Sequence, residues 1–177
     1  MIVYPGGSLL AAASIHHVTG KAAAEQLPTV NPVEAKNCHL AMGRGLPPIQ
    51  DALDHGIRPS LSSDVDVTMA QDPFTVMRAA FTLQRLGVPK RARAGAQNLP
   101  PLLTCRDVLE FATVEGARCA GLEGKVGTLT PGKDADIVLL KADRLNVWPL
   151  NNAAGAVVNL MNPSNVDTVF IAGKVRK

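Results

Sequence analysis

One short stretch, Arg58-Pro59-Ser60-Leu61-Ser62-Ser63-Asp64-Val65, constrains the fold more than any other. It reads as a buried strand that ends in a carboxylate. In front of it, Leu53-Asp54-His55-Gly56-Ile57 reads as a helix end with glycine as its stop signal. Behind it, Ala70-Gln71-Asp72-Pro73-Phe74 reads as the start of the next helix, with Asp as N-cap and Pro in the first helical position. Helix, strand, polar loop, helix is the α/β repeat, and in a barrel of such repeats chemistry sits where the strands end. That puts Asp64 at a catalytic rim. An Asp after a strand also serves as a turn residue or a cap, for purely local hydrogen-bonding reasons, so position alone leaves both roles open.

Composition narrows the class. A chain of 177 residues, 46% hydrophobic with mean hydropathy +0.11, can bury a core and is not disordered. Its net charge of +3 is mild, and Lys90-Arg91-Ala92-Arg93 reads as a solvated loop. With only 3% aromatics there is no stacking platform for nucleic acid. Cys38, Cys105 and Cys119 are odd in number and lack C-x-x-C spacing, which suggests reduced thiols. No run approaches the roughly 18 apolar residues of a membrane span, and Met1-Ile2-Val3-Tyr4 lacks the basic flank of a secretory signal. The expectation is a cytoplasmic protein that binds neither nucleic acid nor membrane.

Local patterns supply the elements. Ser8 to Ile15 is small and apolar, and Lys21 to Leu27 holds good helix formers closed by Pro28. Ile49, Ala52 and Leu53 form the apolar stripe of a helix that ends near His55. A longer helix is predicted over Asp72 to Leu86, with Phe74, Met77 and Phe81 on one face, Gly87-Val88-Pro89 as its stop and Lys90 to Pro101 as a connector. Thr104 and Asp107 make a capping box for a helix through Val108, Leu109 and Ala112. A further helix around Gly116 to Ala120 ends at Gly121, and Gly116 is expected to allow close helix packing. The pattern then changes to strands. Val126 to Thr130 and Ala135 to Leu140 flank the turn Pro131-Gly132-Lys133-Asp134, and Thr168 to Ile171 and Lys174-Val175 flank Ala172-Gly173. The turn is no phosphate loop, since it lacks G-x-x-x-x-G-K-[ST] and precedes a strand.

Several of these pieces share a resemblance. Gly45-Leu46-Pro47-Pro48-Ile49, Gly56 to Asp64, Asp72-Pro73-Phe74 and Met77-Arg78 look like the last barrel unit of the amidohydrolase superfamily, in its cytosine deaminase and chlorohydrolase-like branch. Leu103-Thr104, Val108-Leu109, Ala112-Thr113, Gly116-Ala117 and above all the Gly127 to Val138 run, G-x-L-x-P-G-K-x-A-D, resemble that family's carboxy-terminal signature. The resemblance implies an α/β chain: the C-terminal part of a (β/α)8 TIM barrel plus strands of the small β-sandwich that accompanies it. It divides the chain into a partial barrel at 1–98, barrel C-terminal helices at 99–125 and β-sandwich strands at 126–177.

The same resemblance implies a chemistry. Such enzymes hydrolyse C–N bonds of heterocyclic small molecules with a divalent metal, zinc or iron, held by an H-x-H pair, a further His and an Asp. The metal brings the pKa of bound water to about 7. Asp64 would touch the metal, take the water's proton and return it to the leaving nitrogen. His17 would close the sixth strand, as a metal ligand beside Asp64 or a contact to the hydrolytic water or the substrate, and it also reads as a loop or packed histidine; adjacent His16 and His17 point to opposite sides of a strand, so at most one faces a site. Asn31, Glu34 and His39 would line the substrate pocket, and His39 also reads as a structural or exposed residue.

The sequence departs from the pattern in having four histidines and no H-x-H. A TIM barrel also needs about 250 residues. The chain therefore reads as an incomplete piece of such an enzyme, its own activity weighed against a non-catalytic remnant or interaction module. Open strand edges and an uncovered apolar face predict a homo-oligomer or an aggregation-prone protein.

Overall fold

In the computed structural model of the protein, residues 2–4, 8–11, 47–61 and 72–177 are described. The first helix, α1 (Ile49–Asp54), buries Ile49 and packs Ala52 and Leu53 on the core, as the stripe predicts. The helix α2 (Pro73–Arg93) opens on Asp72, whose carboxylate accepts from the Thr75 N–H at 2.9 Å, with Pro73 behind it. It buries Phe74, Val76, Met77, Ala80, Gln84 and Val88.

The expected stop at Gly87-Val88-Pro89 is overturned: α2 runs through all three residues to Arg93. Pro89 removes one backbone donor, an expensive loss in a helix interior, but burial of Val88 and two ion pairs hold the last turns in place. Arg91 reaches Asp51 at 2.9 Å and Asp54 at 2.6 Å, both on α1. Lys90, Arg91 and Arg93 in the final turn also suit the negative end of the helix dipole. The basic run is thus a helix end and not a solvated loop. The stop is Gly95, at φ +87°, where the Gly95 and Ala96 N–H groups donate to the Ala92 and Arg91 carbonyls.

The capping box forms as read. Thr104 starts α3 (Cys105–Ala112), its hydroxyl accepting from the Asp107 N–H while the Asp107 carboxylate accepts from the Thr104 N–H at 2.9 Å. A kink at Thr113 separates α3 from α4 (Val114–Cys119). Val108 and Phe111 are wholly buried. Gly116 does not serve close packing among the described residues, where a side chain would meet the Phe111 carbonyl at 3.9 Å and nothing nearer. The tight place is Gly127, at φ +90°, where a Cβ would lie 2.7 Å from that of Ala117.

Val126 to Thr130 is not a strand. Its backbone is spent on turns: the Val126 N–H donates to Leu122, the Val126 carbonyl accepts from Lys133 Nζ, and the Asp134 N–H donates to Lys125. Strand structure begins at β3 (Ile137–Lys141) and resumes with β4 (Val166–Ile171) and β5 (Lys174–Val175). The strands β1 (Ile2–Tyr4) and β2 (Ser8–Ala11) pair ahead of them, giving one antiparallel sheet in the order β1-β2-β3-β4-β5. Between β3 and β4 lie α5 (Ala153–Gly155), a π-helical turn over Ala156–Leu160 and a 3-10 turn at Pro163–Asn165. Arg78 of α2 takes two carbonyls there, Asn159 at 3.0 Å and Met161 at 2.7 Å. Among the described residues no helix is long and apolar enough to cross a membrane.

Gly127 and Gly132 make a matched test, because both have φ near +90° but only Gly127 is crowded. Gly132→Ala should cost only the backbone strain, of order 1–3 kcal/mol. Gly127→Ala should lose about a further 1–3 kcal/mol to overpacking, read as the difference in urea unfolding free energy.

Candidate active site

The chain enters the candidate site through a tightly built turn. Beyond α1, the Gly56 N–H donates to the Leu53 carbonyl and the Ile57 N–H to the Ala52 carbonyl, both at 2.9 Å, which stops the helix. Residues 57–61 follow, with Pro59 and Ser60 buried. They form no strand ladder among the described residues. On the far side the chain returns at Asp72 and its cap. Asp64 and the other expected site residues, His17, Asn31, Glu34 and His39, lie outside the described residues, as does Asp66.

What holds residues 57–61 is a charge cluster. The Arg58 Nε donates to Glu115 Oε1 at 3.0 Å and its NH2 to Glu110 Oε2 at 2.8 Å, while NH1 lies 3.8 Å from Asp107 Oδ1. The guanidinium also sits over the Phe111 ring, 5.1 Å from its centre. Glu115 is the critical partner, since its side chain is only 7% exposed and is shared with Arg118. A buried carboxylate with one cation removed is far more costly than a broken surface pair. Gly56, Ile57, Arg58, Glu115, Arg118 and Cys119 line a cleft of about 300 Å³ beside it.

Sequence reasoning quoted Arg58 but gave it no role, and it missed Glu110 and Glu115 altogether. The two glutamates are five residues apart, a spacing that does not share a face on a continuous helix. Only the kink at Thr113 turns both toward Arg58, and no Gly or Pro marks that kink. His55, given no chemistry, is the C-cap of α1, and its Nδ1 donates to the Asp51 carbonyl at 2.7 Å.

The donor set expected for a metal does not fit these residues. Among the described residues no group of three or more His, Cys, Asp or Glu side chains could hold a metal ion. The one described histidine is spent on α1, and the sequence has no H-x-H to supply the usual pair.

Residues 3–176 match the profile of the Amidohydrolase family. The chain belongs to the amidohydrolase family, as its motifs led us to expect. It is 29% identical over 147 residues to the 5-methylthioadenosine/S-adenosylhomocysteine deaminase of Acetivibrio thermocellus, covering 82% of this chain and 32% of that protein. With the deaminase of the same name from Desulforudis audaxviator it shares 32% identity over 142 residues, 77% of this chain and 30% of the relative. The chain therefore spans about a third of the length of these curated relatives. Among solved structures it resembles an adenosine deaminase from Xanthomonas campestris with bound zinc, at TM-score 0.67 and 24% identity over 81% of this chain and 30% of that one. It also resembles the zinc complex of atrazine chlorohydrolase from Arthrobacter aurescens TC1, at TM-score 0.64 and 25% identity over 77% and 29%. These neighbours are TIM-barrel amidohydrolases, and the fold is consistent with part of such a barrel.

Acid should loosen the cluster from the Asp107 side. Burial, the largest influence on this carboxyl, pushes its pKa up, but the Thr104 hydroxyl and backbone N–H together with Arg58 outweigh it and hold the pKa below the ordinary 3.8. A depressed folded pKa means that the contribution is present above about 3.8 and is lost as pH falls through the folded value. Asp107→Asn should thus lower the urea midpoint at neutral pH, and the two proteins should converge in acid below the folded pKa. Curves that stay parallel across that window would contradict the assignment.

Proposed function

We propose that this chain forms the C-terminal part of a metal-dependent amidohydrolase that deaminates a heterocycle, with an aminopurine nucleoside as its substrate class. The observation that carries the reading is the family match across residues 3–176, which spans the segment bearing Asp64. The names of the two deaminases above supply the substrate class. Asp64 would take the proton of the attacking water and deliver it to the leaving nitrogen. His17 would help Asp64 hold the metal or touch the attacking water, and Asn31, Glu34 and His39 would line the substrate pocket. The divisions 1–98, 99–125 and 126–177 go with this reading, except that β1 and β2 of the first join the sheet of the third, a sheet that would be one layer of the small β-sandwich. A cytoplasmic location fits the same reading.

Because the sequence has no H-x-H pair, the reading takes that part of the donor set from elsewhere, on further sequence or on a partner chain. The purified 177-residue chain, given zinc or iron and then dialysed, should keep far less than one metal per polypeptide. Near-stoichiometric metal would show that its own residues suffice.

The activity is tested with the chain joined to the remainder of a relative's barrel, measuring ammonia released from 5′-methylthioadenosine, S-adenosylhomocysteine and 5′-deoxyadenosine. Asp64→Asn should reduce turnover by about 10²–10⁴-fold, the usual contribution of general acid–base catalysis, with little change in substrate binding. Asp66→Asn is the matched control and should do much less. Equal losses would mean that the wrong carboxylate has been chosen.

A second reading, a module that works by association, draws on exposed apolar side chains. Leu145 is 100% exposed and Trp148 68%, and β5 is an edge of the sheet. Homo-oligomerisation follows from this reading; a monodisperse monomer by light scattering at high concentration would count against it.

A further inference from the structure

We infer that Arg58 is a positioning residue: it fixes where the chain leaves the turn after α1 and enters the segment that carries Asp64. This rests on Asp64 being the proton-transfer group. Three observations converge on the one residue. Its backbone is restricted to extended conformations by Pro59, which is itself buried. Its guanidinium is engaged by Glu110 at 2.8 Å and Glu115 at 3.0 Å and covers the Phe111 ring, so the side chain is fixed in direction as well as in place. The contacts also span the chain: Glu110 and Glu115 lie 52 and 57 positions from Arg58, so the segment is held by residues far from it in sequence.

The clamp also reaches far along the chain. Arg58 stands six residues before Asp64, whereas Glu110 and Glu115 stand on α3 and α4. Strain or movement in those two helices is therefore delivered to the entrance of the candidate site through one side chain. With Arg106 on Glu110 and Arg118 on Glu115, the cluster sets three arginines against Asp107, Glu110 and Glu115, so it is balanced and attracts no anion of its own. Its role is to hold geometry, not to bind a ligand.

The test uses the 177-residue chain itself. Arg58→Met, Arg58→Lys and, as a remote ion-pair control on the sheet, Lys141→Met are compared by amide hydrogen exchange. Arg58→Met should speed exchange in peptides spanning 57–71 by about tenfold or more, as expected for losing a hydrogen bond to a charged group. Arg58→Lys should recover part of the effect, and Lys141→Met should produce none. If Arg58→Met fails to fold, Glu110→Gln removes one contact only and should give the same change at smaller size. Unchanged exchange over 57–71 in a folded Arg58→Met variant, or no recovery by Arg58→Lys, would overturn the positioning role. An active Asp64→Asn enzyme would instead overturn the functional reading, and the exchange result would still stand, so the two failures are separable.

Discussion

The arrangement of the helices depends on one buried amide. Gln84, only 4% exposed, donates from Nε2 to the Gln50 side chain at 2.7 Å and to the Pro101 carbonyl at 3.1 Å, and its Oε1 accepts from the Leu103 N–H at 3.0 Å. Three separate segments, α1, α2 and the approach to α3, thus meet on a single side chain. A buried amide left unsatisfied costs about 1–3 kcal/mol per group, so the site is stable only when all three segments are in place. That makes it a test of correct assembly and not merely a contact. Asn165 plays the same part between the sheet and the C-terminal turns: it donates to the Lys141 carbonyl at 3.0 Å and accepts from Asn146 and from the Asn162 N–H.

The helix starts were legible because each carries its own chemistry within four residues. Asp72-Pro73 and Thr104 to Asp107 cap their helices by local hydrogen bonds that need no tertiary help. The helix stop of α2 was not legible, because two glycines competed for it. Local rules favoured Gly87, backed by Pro89. What decided for Gly95 was Arg91 reaching back to Asp51 and Asp54, some forty positions earlier in the chain, and that pairing has no local signature. The strand expected at 126–130 failed for a related reason: β propensity was present, but Lys133 and Leu122 had already taken its backbone groups.

The candidate site divides in the same way. Asp64 stood out as a carboxylate between a helix stop at Gly56 and a helix cap at Asp72, a pattern that sequence can show. The residues that hold the way into it, Arg58 with Glu110 and Glu115, form no pattern in one dimension, since they come together only through the kink at Thr113. Phe111 shows how close the two descriptions are. It is wholly buried in the core and at the same time carries the Arg58 guanidinium on its ring, so the hydrophobic interior and the charge cluster share a wall.

The motif that made the family recognisable has a structural and not a chemical explanation. In the Gly127 to Val138 run, Lys133 spends its ammonium on the carbonyls of Glu123 and Val126, and Asp136 accepts from the Ala172 N–H at 2.8 Å. Ala172 has φ +47°, unusual for a residue with a side chain, and the Asp136 contact, together with the Gly173 N–H on the Ala135 carbonyl, secures that strained corner of the β4–β5 hairpin. Lys133 and Asp136 each satisfy particular backbone groups, and such demands tolerate few substitutes. Catalytic groups are constrained differently, by where they stand relative to donors on distant strands. A chain can therefore be placed in its family by the residues that its turns require, and those residues carry no information about where the reacting groups stand.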